Sequence, residues 1–319
     1  MEISVKVFQI AIFKCCIAPL DRLDLSFLNV KFLKLEDLEG HIRSVAGESA
    51  LTHYKVSYDE WTTKWSPSLL ISLCANTLET PLQKEIFDDI QRALLILFPS
   101  EFRNYSLITF RVHEHDTVFG GEEQVTSSPH RGREMKNPLS FDLKLIPAIE
   151  TFIKAYFKRP SPQYLRLCID SYVSHFYQWK ESLAYVSLAI CMEAIAEGKE
   201  MVNYKIRRNL SIINGRCQDE STVIFVNTKN IYELRSRIVH GDGHNASDLE
   251  IYLPYLRQLI ACTIIELIVH GIDDRKKLDE KITSLGFGQK KLISESYDTY
   301  LSDCFCSFQH KLLPKLSKK

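Results

Sequence analysis

Apolar and polar positions change rhythm partway along the chain. Residues 3–12 are rich in β-branched and aromatic side chains, and Leu107 to His115 alternate, with Ile108, Phe110 and Val112 on one side and Thr109, Arg111, His113 and His115 on the other. Both runs predict strands. Between them Thr80-Pro81 supplies an N-cap and a first turn, and Leu82, Ile86, Ile90, Ala93, Leu94 and Leu97 form an apolar helical stripe that ends before Pro99. From Phe119 to Pro138 the composition shifts to Gly120-Gly121, Ser127-Ser128-Pro129 and His130-Arg131-Gly132-Arg133, which predicts a mobile loop or linker and a domain boundary near 140.

Beyond 140 strand signals fade and a helical period takes over, over 145–158, 162–178, 181–197, 202–214, 221–240 and 247–270, with weaker helices to the end. Pro160, Pro162, Gly198, Gly215 and Gly241 provide the stops. The fold class expected is therefore α+β, with a mixed α/β domain at 1–140 followed by an all-α helical bundle at 141–319. No internal repeat is visible.

The length of 319 residues agrees with two domains of about 150 residues each. Apolar residues at 45% and charged ones at 25% are ordinary for a globular chain and exclude wholesale disorder. Forty basic and forty acidic side chains cancel, so any contact with a polyanion has to be local. The nine cysteines include no CxxC pair and are expected to be free thiols of a reducing cytosol, with no zinc site. Val7 to Ile17 is apolar, but Lys6 precedes it, Lys14 interrupts it and no small-residue cleavage site follows, which argues against a signal peptide. Leu259 to Val269 is too short for a membrane span and contains Glu266, so a buried helix, no membrane and a cytoplasmic location are expected.

The most informative segment is Ile231-Tyr232-Glu233-Leu234-Arg235-Ser236-Arg237-Ile238-Val239-His240-Gly241-Asp242-Gly243. Ile231, Leu234 and Ile238 share helical spacing and are expected to face the core, leaving Arg235 and His240 free of it. Gly241 suits the left-handed residue that ends a helix, so His240 falls in the last turn, facing the negative end of the macrodipole.

Arg-x4-His at the end of a late helix, framed as Tyr-x-x-Arg-Ser-x-Ile-Val-His-Gly, resembles the HEPN superfamily, and the flanking residues are most similar to its Apea-like branch. Two upstream segments add to the likeness: Cys191-Met192-Glu193-Ala194-Ile195 and Tyr204-Lys205-Ile206-Arg207-Arg208. The resemblance covers residues 145 to 270 and implies metal-independent RNA cleavage with no cofactor, in settings such as phage defence or toxin systems. It also implies dimerisation. Many members that cleave carry Asn, Asp or His after the arginine, where this chain has Ser236.

The residue chemistry agrees with that implication. An imidazole at His240 can take the proton of a ribose 2′-hydroxyl or protonate the leaving 5′-oxygen, which contributes about 10²–10⁴ in rate. The fork of donors on Arg235 matches phosphoryl oxygens as negative charge grows. Positions five apart lie about 140° apart around a helix, so Arg235 and His240 do not share a face, whereas Ser236 and Arg237 do share one with His240. A homodimer with a composite cleft answers that mismatch.

Glu193, among apolar neighbours, needs a partner, with Arg235 first and Arg207 or Arg208 as structural alternatives. Lys205, Arg207, Arg208 and Arg237 are candidates for a local phosphate patch, and Tyr204 and Tyr232 for base stacking; the competing reading is a solvated face and ordinary packing. His113-Glu114-His115-Asp116 lacks a third ligand, and Gly120-Gly121 and Gly286-Phe287-Gly288 lack the setting of a phosphate loop. His175 and His270 are assigned to packing or surface, and Lys315, Lys318 and Lys319 to a solvated tail. The leading expectation is an endoribonuclease whose N-terminal domain senses a protein or ligand regulator. The alternative is a non-catalytic dimeric module that binds RNA, a nucleotide or a protein.

Overall fold

The computed structural model describes residues 5–14, 16–64, 70–75, 80–113, 122–125, 137–158, 163–196, 201–272, 274–285, 300–306 and 310–317. His115-Asp116, most of the glycine- and serine-rich stretch, Pro160, Pro162, Gly198, Gly286-Phe287-Gly288, Lys318 and Lys319 lie outside the described residues. The chain divides into two compact units, 1–150 and 151–319. The first unit extends to 150, where Glu150 is tied back to Asp24, and the residues just before 140 are tied back as well. Ile17 N donates to Leu139 O at 2.9 Å, Glu101 N to Asn137 O at 2.9 Å, and Asp24 N to the Glu150 carboxylate at 2.8 Å.

The first unit carries a five-stranded sheet in the order β2-β3-β1-β4-β5, formed by β1 (Val5–Lys14), β2 (Val30–Lys34), β3 (Leu70–Ala75), β4 (Arg103–His113) and β5 (Glu122–Val125). Every pairing is antiparallel. In the central strand β1, Gln9, Ile10, Ala11 and Phe13 are all buried, so both faces are covered at these positions. Thr109, expected on the polar side of its strand, is buried too and takes a hydrogen bond from Gln9 Nε2 at 3.0 Å, directly across the register. β5 lies inside the stretch expected to be a loop. Its glutamates kept it from view, since charge at a sheet edge discourages pairing with other chains while leaving the strand intact.

Helix α1 (Leu35–Lys64) breaks its helical geometry at Gly47, and α2 (Thr80–Leu97) fits the predicted stripe. Phe87, Ile90, Ala93, Leu94, Leu95, Ile96 and Leu97 of α2 are buried, so more than one face of it is covered. Phe13 stacks on Phe102 with ring centroids 5.0 Å apart, at the heart of this core.

The second unit is helical throughout its regular elements. It contains α4 (Gln163–Ser174), α5 (Glu181–Ala196), α6 (Val202–Asn214), α7 (Gln218–His240), α8 (Ala246–Val269) and α9 (Arg275–Leu285), while α3 (Ile146–Lys158) begins before the division. These bounds follow the periodicity closely, because each helix alternates a buried stripe with a solvated one. α5 and α8 are exceptions, buried on most sides, and they form the axis of the bundle. α8 is long and apolar enough to cross a membrane by length and composition, yet most of it is core here. Its Glu266 is fully buried and satisfied, by the His270 imidazole at 2.9 Å and by Ser302 N at 2.8 Å. His270 is thus a packing residue, as is His175.

Of the weaker helices expected at the end, the described residues contain α9 and a short 3-10 turn, Leu301–Cys304. Residues 310–317 have no regular structure and lie along α7 and α8 as a strap.

Candidate functional site at the end of α7

The second half of α7 is fixed from inside. Ile231 and Leu234 are fully buried, and the buried hydroxyl of Tyr185 on α5 donates to the carbonyl of Ile231 at 2.9 Å. One turn later Arg235 emerges at the α5 boundary, where its Nη2 meets Glu193 Oε1 at 2.9 Å, with side-chain exposures of 23% and 29%. This is the partner first expected for Glu193. Half-burial makes the pair more than a surface contact, since less solvent screens it and each charge compensates the other's desolvation. The guanidinium also lies 5.8 Å from the Tyr232 ring, and its Nε is buried without a hydrogen-bond partner among the described residues.

The helix ends as the glycine predicts. Gly241 is left-handed at φ 73°, and Asp242 N returns to Arg237 O at 2.9 Å while Gly241 N reaches Ile238 O at 3.3 Å. These two bonds satisfy carbonyls that the helix itself leaves open. His240 is consequently exposed, at the start of an exposed run from 241 to 247. It sits about 7.5 Å further along the axis than Arg235 and about 140° around it. Within one chain the two side chains leave the helix in different directions.

Ser236 is partly buried beside them, and Arg237 is engaged twice. Its Nη2 pairs with Glu233 at 2.6 Å and its Nη1 donates to the carbonyl of Ser317 at 3.0 Å.

The basic residues of α6 do not join this end. Arg207 donates from Nε to Phe225 O at 3.1 Å and stacks 3.8 Å over the Phe225 ring, while Arg208 reaches the side chains of Asn209 at 3.2 Å and Asp279 at 3.7 Å. At 1.5 Å per residue, Phe225 lies about 22 Å from His240 along the same helix. The patch expected of Lys205, Arg207, Arg208 and Arg237 is therefore not assembled in one chain: Arg207 meets α7 at Phe225, far along the helix from Arg237, and Arg208 turns to Asn209 and Asp279. Tyr204 is exposed and edges the Phe225 ring, and Tyr232 is partly buried against Arg235.

A second set of polar residues went unseen in the sequence. Fully buried Asn227 clamps the strap by donating Nδ2 to Lys311 O at 2.8 Å and accepting from Leu313 N at 2.9 Å. Asp248 accepts from Ser317 N at 3.3 Å and Ser317 Oγ at 2.9 Å, and the Tyr252 hydroxyl donates to Pro314 O. The signal that could have revealed the strap is Asn227 itself, an amide inside the apolar stripe of Ile224, Ile231 and Leu234 that has to find partners.

Among the described residues, no group of three or more His, Cys, Asp or Glu side chains is placed to hold a metal ion. Comparison with known proteins finds no match to this chain, whether among family models, curated proteins or solved structures.

Proposed function

We propose that this protein is a metal-independent endoribonuclease of the HEPN type, working as a homodimer in the cytoplasm, with the helical unit as its catalytic part. The observation that carries the reading is the half-buried Glu193–Arg235 pair in the turn preceding an exposed His240. A carboxylate that holds a guanidinium in one orientation prepares it to meet phosphoryl oxygens without reorganising. His240 then moves the protons, taking one from the ribose 2′-hydroxyl and giving one to the departing 5′-oxygen. The products are a 2′,3′-cyclic phosphate and a 5′-hydroxyl. Because the two side chains diverge around the helix, a second copy completes each site. The sheet-bearing unit senses a protein or ligand regulator, and phage defence or a toxin system is the setting the resemblance suggests.

The test is incubation of a mixed RNA pool with the full chain in EDTA, with end-group analysis, beside His240→Ala and Arg235→Ala. Cleavage in the wild type with a loss of 10²-fold or more in either variant is expected. Undiminished cutting by His240→Ala removes the assignment.

The engagement of Arg235 by Glu193, and of Arg237 by Glu233 and Ser317, favours a second reading, a dimeric module that binds RNA, a nucleotide or a protein without cutting. RNA binding that weakens steeply with salt, without cleavage, selects it over the nuclease.

A further inference from the structure

Cys262 on α8 and Cys306, just beyond the 3-10 turn Leu301–Cys304, bring their sulfurs to 2.8 Å across 44 positions of sequence. Both backbones are held independently of that contact. The turn is seated by Ser302 N on Glu266, one helical turn beyond Cys262 on α8, and its own Cys306 N returns to Ser302 O at 2.9 Å. Arg216 fastens the same turn from the α6–α7 connection, reaching Ser302 Oγ at 3.1 Å and Asp303 Oδ1 at 2.7 Å and lying 3.4 Å over the Tyr300 ring. Two thiols presented this way need little movement to reach bonding distance, about 2.05 Å.

Cys191 and Cys168 also interact through their side chains, but both are out of reach of a dissolved oxidant. Cys304 is exposed, Cys168 and Cys191 are fully buried, and the Cys191 thiol donates to the carbonyls of Cys168 and Ser187. Cys306 is partly exposed, so a dissolved oxidant can reach it, whereas Cys262 is buried behind it.

We propose that Cys262 and Cys306 are a site of reversible thiol oxidation, whose disulfide fixes the root of the C-terminal strap to α8. The oxidant is hydrogen peroxide. The Cys306 thiolate attacks one peroxide oxygen, forming an S–O bond as the O–O bond breaks and hydroxide leaves with the thiol proton as water. The Cys262 sulfur then attacks the sulfur of that sulfenic acid, forming S–S as the S–O bond breaks and a second water departs. Two thiols and one peroxide become one disulfide and two waters, and an added dithiol reverses the step. The order follows from the surroundings: the contact with Cys306, and then burial, push the Cys262 thiol well above its ordinary range, so Cys262 is not the first to react.

The consequence lies just downstream. The strap at 310–317 follows Cys306 closely and occupies Asn227, Arg237, Asp248 and Tyr252. With Cys306 free, the strap can lift from α7 and α8 from its end inward. Once bonded, it is tethered at its start. The inference stands apart from the nuclease reading, since it needs only the two sulfurs and the strap.

The test uses the full chain treated with hydrogen peroxide, alkylated and digested without reduction for mass spectrometry, followed by hydrogen exchange of the peptide covering 310–317. The expected result is a Cys262–Cys306 link that dithiothreitol removes, that persists in Cys304→Ser and that is absent in Cys306→Ser. Exchange across the strap should slow on the order of tenfold in the oxidised wild type only. Links from Cys306 to Cys304, a Cys306 that remains fully alkylatable, or unchanged exchange in the linked protein each overturn the proposal. Should Cys306→Ser fail to fold, the wild-type mapping decides by itself.

Discussion

Two glycines of the helical unit are needed for opposite reasons. Gly241 has open space around a would-be Cβ but a φ of 73°, so Gly241→Ala meets only backbone strain. A loss of about 1 kcal/mol in denaturant-derived stability is expected, with the last turn of α7 frayed. Gly215 has an ordinary φ, yet a Cβ there would stand 2.7 Å from Ser211 O and 2.1 Å from Ser221 Oγ. The carbonyl cannot rotate away, because it belongs to α6 and already accepts from Gly215 N and Ser221 Oγ. Gly215→Ala is expected to be the more damaging of the two, at about 2–3 kcal/mol, in the same measurement. At this scale the sequence was legible where one residue type answers to one backbone state, as at Gly241, or where one half-buried carboxylate seeks one cation, as at Glu193 and Arg235. It was not legible for Lys205, Arg207 and Arg208. A letter for a cation does not tell whether its head meets solvent or, as with Arg207, a main-chain carbonyl and a ring.

Among elements, the period of the apolar stripe located the helices of the second unit, and the same logic failed wherever an element has no period. The strap is the clearest case. It contributes backbone groups to side chains of α7 and α8, and nothing in Lys311 to Ser317 announces that. Deleting 310–319 leaves buried Asn227 and Asp248 without these partners, each such loss being worth about 1–3 kcal/mol. The truncated chain is expected to unfold at a clearly lower urea midpoint, and Asn227→Ala to reproduce much of that drop. Equal midpoints for the truncated and full chains would show that the strap contributes nothing to holding α7 and α8. β5 escaped notice for a related reason, since Glu122 and Glu123 at an edge look like loop to a hydrophobicity count.

For the whole molecule, the two units were separable in the sequence because composition changes between them, although the bond from Asp24 N to the Glu150 carboxylate carries the first unit past the expected boundary. The helical unit also has a built-in acid sensitivity. His175 is buried between Tyr172 O, which its Nδ1 contacts, and the Arg257 Nε–H, which its Nε2 accepts at 2.9 Å. A second proton would set donor against donor, and burial followed by the Arg257 charge lowers its pKa from 6.5 to about 3. His310 behaves alike, lowered to about 4 by burial and then by Arg216. Between these values and 6.5 the unfolded chain binds protons that the folded one refuses, so stability rises with pH across the window and is lost on acidification. The expected slope is at most about 1.4 kcal/mol per pH unit for each group, and less for the partly exposed His310. Urea midpoints at about pH 7 and about pH 5 check it, with His175→Gln expected to flatten the difference.

On the strap the Asn227 clamp grips main-chain atoms, and that decides what kind of variation the carboxyl end tolerates. Side chains from 311 to 313 can be exchanged with little effect, apart from proline at 313, which would remove the N–H that Asn227 accepts. Spacing is another matter. One residue inserted between Lys311 and Leu313 would part the two main-chain atoms that the amide holds. Related chains should therefore be free in spelling here and strict in length.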